Sequence, residues 1–564
     1  MLELSERGLE DREAWERTGV ELPGFDRRRM IAETRERPVW VHFGAGNIFR
    51  ALVAKAQQKL LNAGLARSGI IAAGTPDSET IDLVYRPHDN LTLLVETSAG
   101  GGLRKEVIAS VAQAVCADPD RADDYAVLTN AFENPSLQLV TFTITEKGYA
   151  LTGPGGEYPP EAAADLESGP ERPAHAMGIA ASLAYRRYLA GAYPLAFVSL
   201  DNCPHNGDVL RSAMLAVARE WERRGLVRSG FADYLADKDK ISFPLTMIDK
   251  ITPRPSPAIR EELERLGIGG MEGSATSRNT YAAPFVNAEI GEYLVIEDRF
   301  PAGRPPLEAG GILLADRDTV NRTDTMKVTA CLNPLHTALA VTGCLLGYTR
   351  IADEMRDPLL RRLAETIGRG EGLPVVTDPG IIRPETFLEE VLSERLPNPY
   401  IPDTPQRIAS DTSQKIGIRY GQTIRSYMER DGMDPAELTA IPLAIAAWCR
   451  YLLGIDDEGR PFEPSPDPLL EHLQARLLGD AYERRTERPD AANALADRAR
   501  TADPRAILSD TDLFGVDLYA SGLGAKIEKL FRDMLDGPGA VRRTLERELG
   551  TPQTPGLQGS GRRE

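Results

Sequence analysis

One segment of the 564-residue chain concentrates groups able to move a proton: Asp324-Thr-Met-Lys327-Val-Thr-Ala-Cys-Leu-Asn333-Pro-Leu-His336. It sets a carboxylate, a lysine, an amide and an imidazole in an otherwise mostly apolar run. A buried lysine loses proton affinity because its charged form is poorly solvated, which suits Lys327 to general-base work near neutral pH. Asn333 and His336 stand three residues apart and share a helix face, so both can address one substrate oxygen. The same residues also fit a snorkelling lysine, a helix start capped at Asn321 and a satisfied core histidine.

A second set is of the kind that cradles a dinucleotide. Pro38-Val-Trp-Val-His-Phe43-Gly44-Ala-Gly46-Asn47-Ile48-Phe49-Arg50 reads as a short strand, a glycine turn and a helix. In such a turn the glycines let the backbone approach a pyrophosphate at a helix N-terminus. Gly44 and Gly46 fit the fingerprint, and its third glycine position holds Phe49. The buried run Gly69–Gly74 ends at Thr75-Pro-Asp77. An acid there reads the adenosine ribose and favours NAD over NADP; Asp77 is the candidate, Glu79 the second choice, and a plain turn aspartate the alternative. Ala196-Phe-Val-Ser-Leu-Asp201 delivers Asn202-Cys-Pro-His205-Asn206-Gly207 to the carboxyl end of a strand, where α/β sheets bind ligands. Turn chemistry alone accounts for the same residue types.

The elements that must position these groups change character along the chain, and the length calls for two or more domains. Residues 1–36 read as an N-terminal arm. Residues 37–318 read as a Rossmann-type NAD-binding domain, with strands near 91–98, 106–111, 139–149, 243–253 and 292–301. An exposed loop is expected over 152–173 and a polar insertion near 254–280. From 319 to 549 helical periodicity takes over, at 324–348, 355–368, 384–395, 406–430, 436–454, 466–485, 490–500 and 523–548. The tail from 550 to 564 is rich in Pro, Gly, Gln and Ser and is expected to be disordered. The fold class is therefore α/β, a Rossmann-type domain followed by a mostly helical one.

A net charge of −18 and a pI near 5.1 argue against a nucleic-acid or anionic-membrane partner, so an anionic substrate needs a local basic cluster. Five scattered cysteines without ligand spacing fit free thiols in a reducing compartment. No secretory h-region opens the chain, and no apolar run reads as a membrane span, which points to the cytoplasm.

Taken in order, these motifs resemble the mannitol dehydrogenase family of polyol-specific long-chain dehydrogenases and reductases, which also contains uronate reductases. The resemblance covers most of residues 38–455. It rests on Gly44-Ala-Gly46-Asn-Ile-Phe-Arg50, Thr143-Ile-Thr-Glu-Lys-Gly-Tyr149, Asp201-Asn202 with Asn206-Gly207, Met247-Ile-Asp249-Lys-Ile-Thr-Pro253, Val295-Ile-Glu-Asp298, Lys327 with Asn333 and His336, and Arg407 with Lys415. It implies Lys327 as catalytic base, Asn202 and Asn333 as amide donors to the substrate oxygen, His336 as orienting group and Asp324 on the proton path to solvent. It implies Arg407 and Lys415 at the far end of the substrate, and Phe43, Gly44, Gly46, Asn47, Ile48, Phe49, Arg50, Asp77 and Asp249 at an NAD site, with no metal. The Asn-Pro-Leu-His and Asp-Asn-Cys-Pro-His-Asn-Gly segments look like the uronate-reductase branch, which implies interconversion of D-mannonate and D-fructuronate. Mannitol or another polyol, tagaturonate reduction and, outside catalysis, an NAD-binding sugar sensor stand as alternatives.

One departure carries a structural expectation. The family pattern spaces lysine to asparagine by five and lysine to histidine by eight; here the steps are six and nine. At about 100° per residue, Lys327 and His336 would face opposite sides of a regular helix. An irregular turn, such as a π-bulge, is therefore expected between Lys327 and Pro334.

Overall fold

A computed structural model describes residues 1–75, 79–153, 155–277, 280–479, 482 and 501–550. The chain divides into two compact units, Met1–Asn321 and Arg322–Glu564.

The first unit is built on a six-stranded parallel sheet of β1 (Trp40–Phe43), β2 (Ile70–Gly74), β3 (Val111–Cys116), β4 (Leu139–Phe142), β5 (Leu195–Ser199) and β6 (Ile241–Ser242). The spatial order is β6-β5-β4-β1-β2-β3, the doubly wound arrangement in which the order reverses beside the first strand. β1 sits at the centre, with Trp40 opposite Ile70 on one side and Leu139 on the other. Its side chains alternate between two cores, since successive residues of a strand point to opposite faces. Val41 and Phe43 join Val140, Phe142 and Phe197 on one face. Trp40 joins Ile70, Leu139 and Val198 on the other. Strands buried on both faces read as continuous apolar runs, which is why this sheet stands out in the sequence.

Smaller sheets complete the unit, and here several expectations change. The strand expected at 106–111 is the junction of two: Leu103–Ile108 pairs antiparallel with Thr92–Thr97, and Val111–Cys116 is β3. The long strand expected from 139 stops at Phe142, because Thr145 adopts φ +65° and a helical turn, Glu146–Tyr149, follows. A helix, Pro160–Ser168, forms inside the stretch read as a loop. The first 36 residues contribute two short strands, Leu2–Glu3 against Ile268–Gly269 and Val20–Glu21 against Lys105–Glu106, and the helix Arg27–Glu36. The segment 254–280 carries the helix Pro257–Arg265 and the start of a small antiparallel pair, Ser274–Ala275 with Tyr281–Ala282.

In the second unit the expected helix 324–348 is interrupted. α1 (Arg317–Met326), within which the two units divide, is followed by a π-helical turn, Lys327–Cys331, and then by α2 (Asn333–Leu346). Together, Arg317–Leu346 is long and apolar enough by composition to cross a membrane, which corrects the reading of apolar runs above; 83% of its apolar window is buried within the protein. The helix expected at 406–430 breaks into Pro405–Ile408, a 3-10 turn Thr412–Gln414, a π turn Gly417–Gly421 and α3 (Gln422–Glu429). α4 (Ala440–Tyr451) is buried along its whole length, and the Glu371 carboxylate accepts the Ala440 and Ile441 amides at its start, at 2.7 and 2.8 Å. The expected helix 490–500 and tail 551–564 lie outside the described residues.

Candidate active site

The glycine turn lies at the carboxyl end of β1, where the strand order reverses. Gly44 has φ +105°, and a Cβ there would meet Thr143 O at 2.1 Å, so only glycine lets the turn pass this close to β4. A Cβ on Gly46 would meet nothing within 4 Å. That open space, at the start of helical turns beginning with Asn47, suits the approach of a pyrophosphate. Phe49, at the third glycine position, is fully buried and stacks on His42 with ring centroids 4.1 Å apart. Phe43 is a core residue, and Ile48 packs against the core on the opposite face of the sheet. The buried Arg50 guanidinium donates to Ala283 O at 2.7 Å and to Asn47 Oδ1 at 2.8 Å, while Asn47 Nδ2 donates to Pro253 O at 3.1 Å. Arg50 therefore braces the turn through Asn47. Asp249 ends the strand Thr246–Asp249, opposite Tyr293. Asp77 lies outside the described residues; Glu79 accepts the Ser277 amide at 2.9 Å.

The Thr143–Tyr149 motif is organised by Asp201, a role that its place in the Asp201-Asn202 motif does not reveal. Its carboxylate accepts the Ile144 and Thr145 amides at 2.9 and 3.1 Å and the Tyr149 hydroxyl at 2.5 Å. Burial pushes the Asp201 carboxyl up, with these donors opposing. Asn206 fixes the other side of the turn, donating to Asp201 O at 3.0 Å and accepting the Thr246 amide at 3.1 Å. Asn202 is left exposed just past β5. His205, also exposed, adopts φ +50° and faces Asp208 at 4.0 Å.

In the second unit, Lys327 is 1% exposed and its Nζ lies 3.4 Å from Asp324 Oδ1. Asp324 is partly open to solvent. The Leu332 amide donates to Lys327 O at 3.1 Å, five residues back, and Leu332 leaves helical geometry at φ −133°. The irregular turn expected from the spacing is thus present. By absorbing one residue, it gives the nine-residue step from Lys327 to His336 roughly the angular phase of eight. The carbonyl it frees at Thr329 accepts the Thr423 hydroxyl at 3.1 Å, and Tyr420 OH donates to Pro334 O at 2.9 Å, which pins the turn from across the unit. Asn333 opens α2, and its side-chain amide has no protein partner among the described residues.

His336 Nε2 lies 3.6 Å from Asp403 Oδ2. Burial lowers the His336 pKa to about 4, with Asp403 opposing and Arg419, Arg407 and Arg395 adding to the fall. The imidazole is therefore neutral at neutral pH. Arg407 is largely exposed and pairs with Asp403, and Lys415 Nζ donates to Ser410 O at 2.8 Å. Burial and then Arg419 lower the Lys415 pKa. Asp403, Arg395 and Arg419 escaped the sequence reading; a basic residue four after Lys415 on a helical pattern was the only available signal. Among the described residues there is no group of three or more His, Cys, Asp or Glu side chains placed to hold a metal ion.

Residues 39–309 match the mannitol dehydrogenase Rossmann domain, and residues 320–529 match the mannitol dehydrogenase C-terminal domain. The chain is 51% identical to a D-mannonate oxidoreductase of Thermotoga maritima, over 97% of this chain and 99% of that one. It is 31% identical to a mannitol 2-dehydrogenase of Cereibacter sphaeroides, over 91% and 97%. Among solved structures, it resembles Pseudomonas fluorescens mannitol 2-dehydrogenase in ternary complex with NAD and D-mannitol, with TM-score 0.67 and 27% identity over 98% of this chain and 100% of that one. It also resembles a substrate-free D-sorbitol dehydrogenase, with TM-score 0.74 and 26% identity over 93% and 97%. With both domains matched, in order and over most of its length, the chain belongs to the mannitol dehydrogenase family.

Proposed function

We propose that this protein is an NAD-dependent oxidoreductase that interconverts D-mannonate and D-fructuronate in the cytoplasm, with Lys327 as general base. The observation that carries the reading is the buried Lys327 amine, beside Asp324 and brought back into phase with His336 by the π turn, in a unit that also holds a cluster of cations. The relative that is 51% identical over nearly the whole chain is a D-mannonate oxidoreductase, which favours a sugar acid over a polyol.

The open space at Gly46, the close approach at Gly44 and the helical start at Asn47 fit a dinucleotide; Asp77 and Asp249 are the proposed acidic contacts. When bound, NAD supplies the hydride acceptor in oxidation and NADH the donor in reduction. Lys327 takes the hydroxyl proton as the carbon–hydrogen bond breaks, and returns it to the carbonyl oxygen in reduction. Asn333, whose amide is uncommitted within the described residues, donates to that oxygen and stabilises its developing charge, with Asn202 as a second amide donor. Neutral His336, aligned by Asp403, orients the substrate. Asp324 passes the proton between Lys327 and solvent, which its proximity to the amine and partial exposure allow.

The test is consumption of NADH by the purified protein with D-fructuronate, D-tagaturonate and D-fructose in parallel. Turnover of fructuronate well above the other two is the expected result. Preference for fructose would place the protein with the polyol dehydrogenases, and preference for tagaturonate would make it a tagaturonate reductase. Retention of NADH binding without turnover of any of these would leave the sugar-sensor reading.

A further inference from the structure

Among the described residues, buried arginines differ in how fully their donors are used. Arg187 donates to five backbone carbonyls, including Phe132 O and Leu137 O at 2.8 and 2.9 Å, and Arg450 reaches Ile455 O and Asp456 O at 2.6 and 3.0 Å. Such side chains are saturated and hold loops together. Arg419 is different. Among the described residues its guanidinium donates to the Thr337 hydroxyl alone and pairs with no carboxylate. Burial is strong enough to lower its pKa to about 10, which leaves it charged at neutral pH. Its remaining nitrogens are not among the sealed, unpartnered polar atoms, so they face accessible space. A desolvated cation with one neutral partner is costly unless an anion completes it.

Its place in the second unit says which anion. Thr337 directly follows His336, and the Arg419 amide donates to Lys415 O at 3.0 Å, which puts Lys415 and Arg419 one turn apart on the same helical face. The next residue, Tyr420, is anchored to Pro334 O at the head of α2. Arg407, by contrast, is already neutralised by Asp403, the partner of His336. Deepening the reading of the protein as a sugar-acid oxidoreductase, on which this step rests, we infer that Arg419, with Lys415, holds the substrate carboxylate and so selects acids over polyols. The planar guanidinium matches a carboxylate with two parallel N–H donors, a geometry that a hydroxymethyl group cannot use.

The experiment uses the full-length protein, with Arg419→Gln, Arg419→Lys and, as a nearby control, Arg425→Gln. D-mannonate affinity of the NADH-loaded protein is read by titration calorimetry, and kcat and KM are read for D-fructuronate and D-fructose. Arg419→Gln is expected to weaken mannonate binding and raise the fructuronate KM by about 10- to 100-fold, as for a lost charge-assisted hydrogen bond, with NADH affinity and the fructose parameters retained. Arg419→Lys, which keeps the charge but loses the paired donors, should fall between, and it carries the test if the glutamine variant fails to fold. Added guanidinium ion should restore part of the Arg419→Gln loss. Equal losses on acid and polyol, or unchanged mannonate affinity in an Arg419→Gln protein that still binds NADH, would overturn the assignment. If the wild-type protein neither binds mannonate nor reduces fructuronate, the proposed function falls, and this inference with it for lack of a substrate rather than for the behaviour of Arg419.

Discussion

At the scale of single residues, the site depends on which charges are compensated. Lys327, the proposed base, has Asp324 beside it and is 1% exposed. Lys327→Ala is expected to lower kcat by about 10²- to 10⁴-fold, the usual worth of a general base, while fluorescence titration shows NADH binding intact. Unchanged turnover would remove the lysine from its role. His336 is held neutral by burial against the pull of Asp403. In Asp403→Asn that pull is gone, so the imidazole should titrate below its wild-type value of about 4. An NMR titration of the His336 ring that finds the same midpoint in both proteins would show that Asp403 does not act on it.

At the scale of elements, two irregularities shape the candidate site. The π turn Lys327–Cys331 accommodates one extra residue, and with it the phase of Lys327 relative to His336. Deleting Ala330 should let the segment continue as an ordinary helix with that phase kept, and activity should survive at a reduced level. Inserting one alanine at the same point turns His336 by about a further 100° and should abolish turnover, with helix content by circular dichroism unchanged. Full activity in the insertion variant would show that the phase does not matter. The glycine turn after β1 tolerates no side chain at Gly44. Gly44→Ala combines left-handed backbone strain with a collision on Thr143 O, and is expected to cost about 2–5 kcal/mol in chemical denaturation and to weaken NADH binding.

At the scale of the whole molecule, acid stability follows from what is buried uncharged. His42 is fully buried between Thr141, Thr143 and Phe49, and desolvation lowers its pKa to about 3. Below about pH 6.5 the unfolded chain takes up a proton there that the folded one refuses, so the unfolded state binds more protons and stability falls as the pH falls. Between about pH 6.5 and 3, wild type should lose up to about 1.4 kcal/mol per pH unit relative to His42→Asn. Denaturant midpoints of the two proteins measured across this range check it, and parallel curves would refute it. A second whole-unit constraint is the ion cluster in which Lys55 and Lys250 both meet Glu96, at 2.6 and 2.8 Å, and both meet Glu292 at 3.0 Å. It ties the segment after Asp249 to the helix that follows the glycine turn.

The sequence by itself determined what depends on local order. The strand-turn-helix around Gly44 is visible because doubly buried strands are continuous apolar runs and because few residues besides glycine enter such a turn. The candidate proton-transfer segment is visible because Lys327, Asn333 and His336 stand within ten positions, and the break between them was expected from setting their spacing beside that of the family the chain resembles and against the helical period. Only the tertiary structure decided which cations are spent and which are available. Arg407 and Arg419 look alike on a helical pattern, and Asp403, which neutralises one of them and addresses His336, is distant from that histidine in the chain. Pairing and desolvation are properties of packing, and no local pattern records them. The same holds for Arg50, which the resemblance puts at the NAD site and the fold turns inward to Ala283 and Asn47.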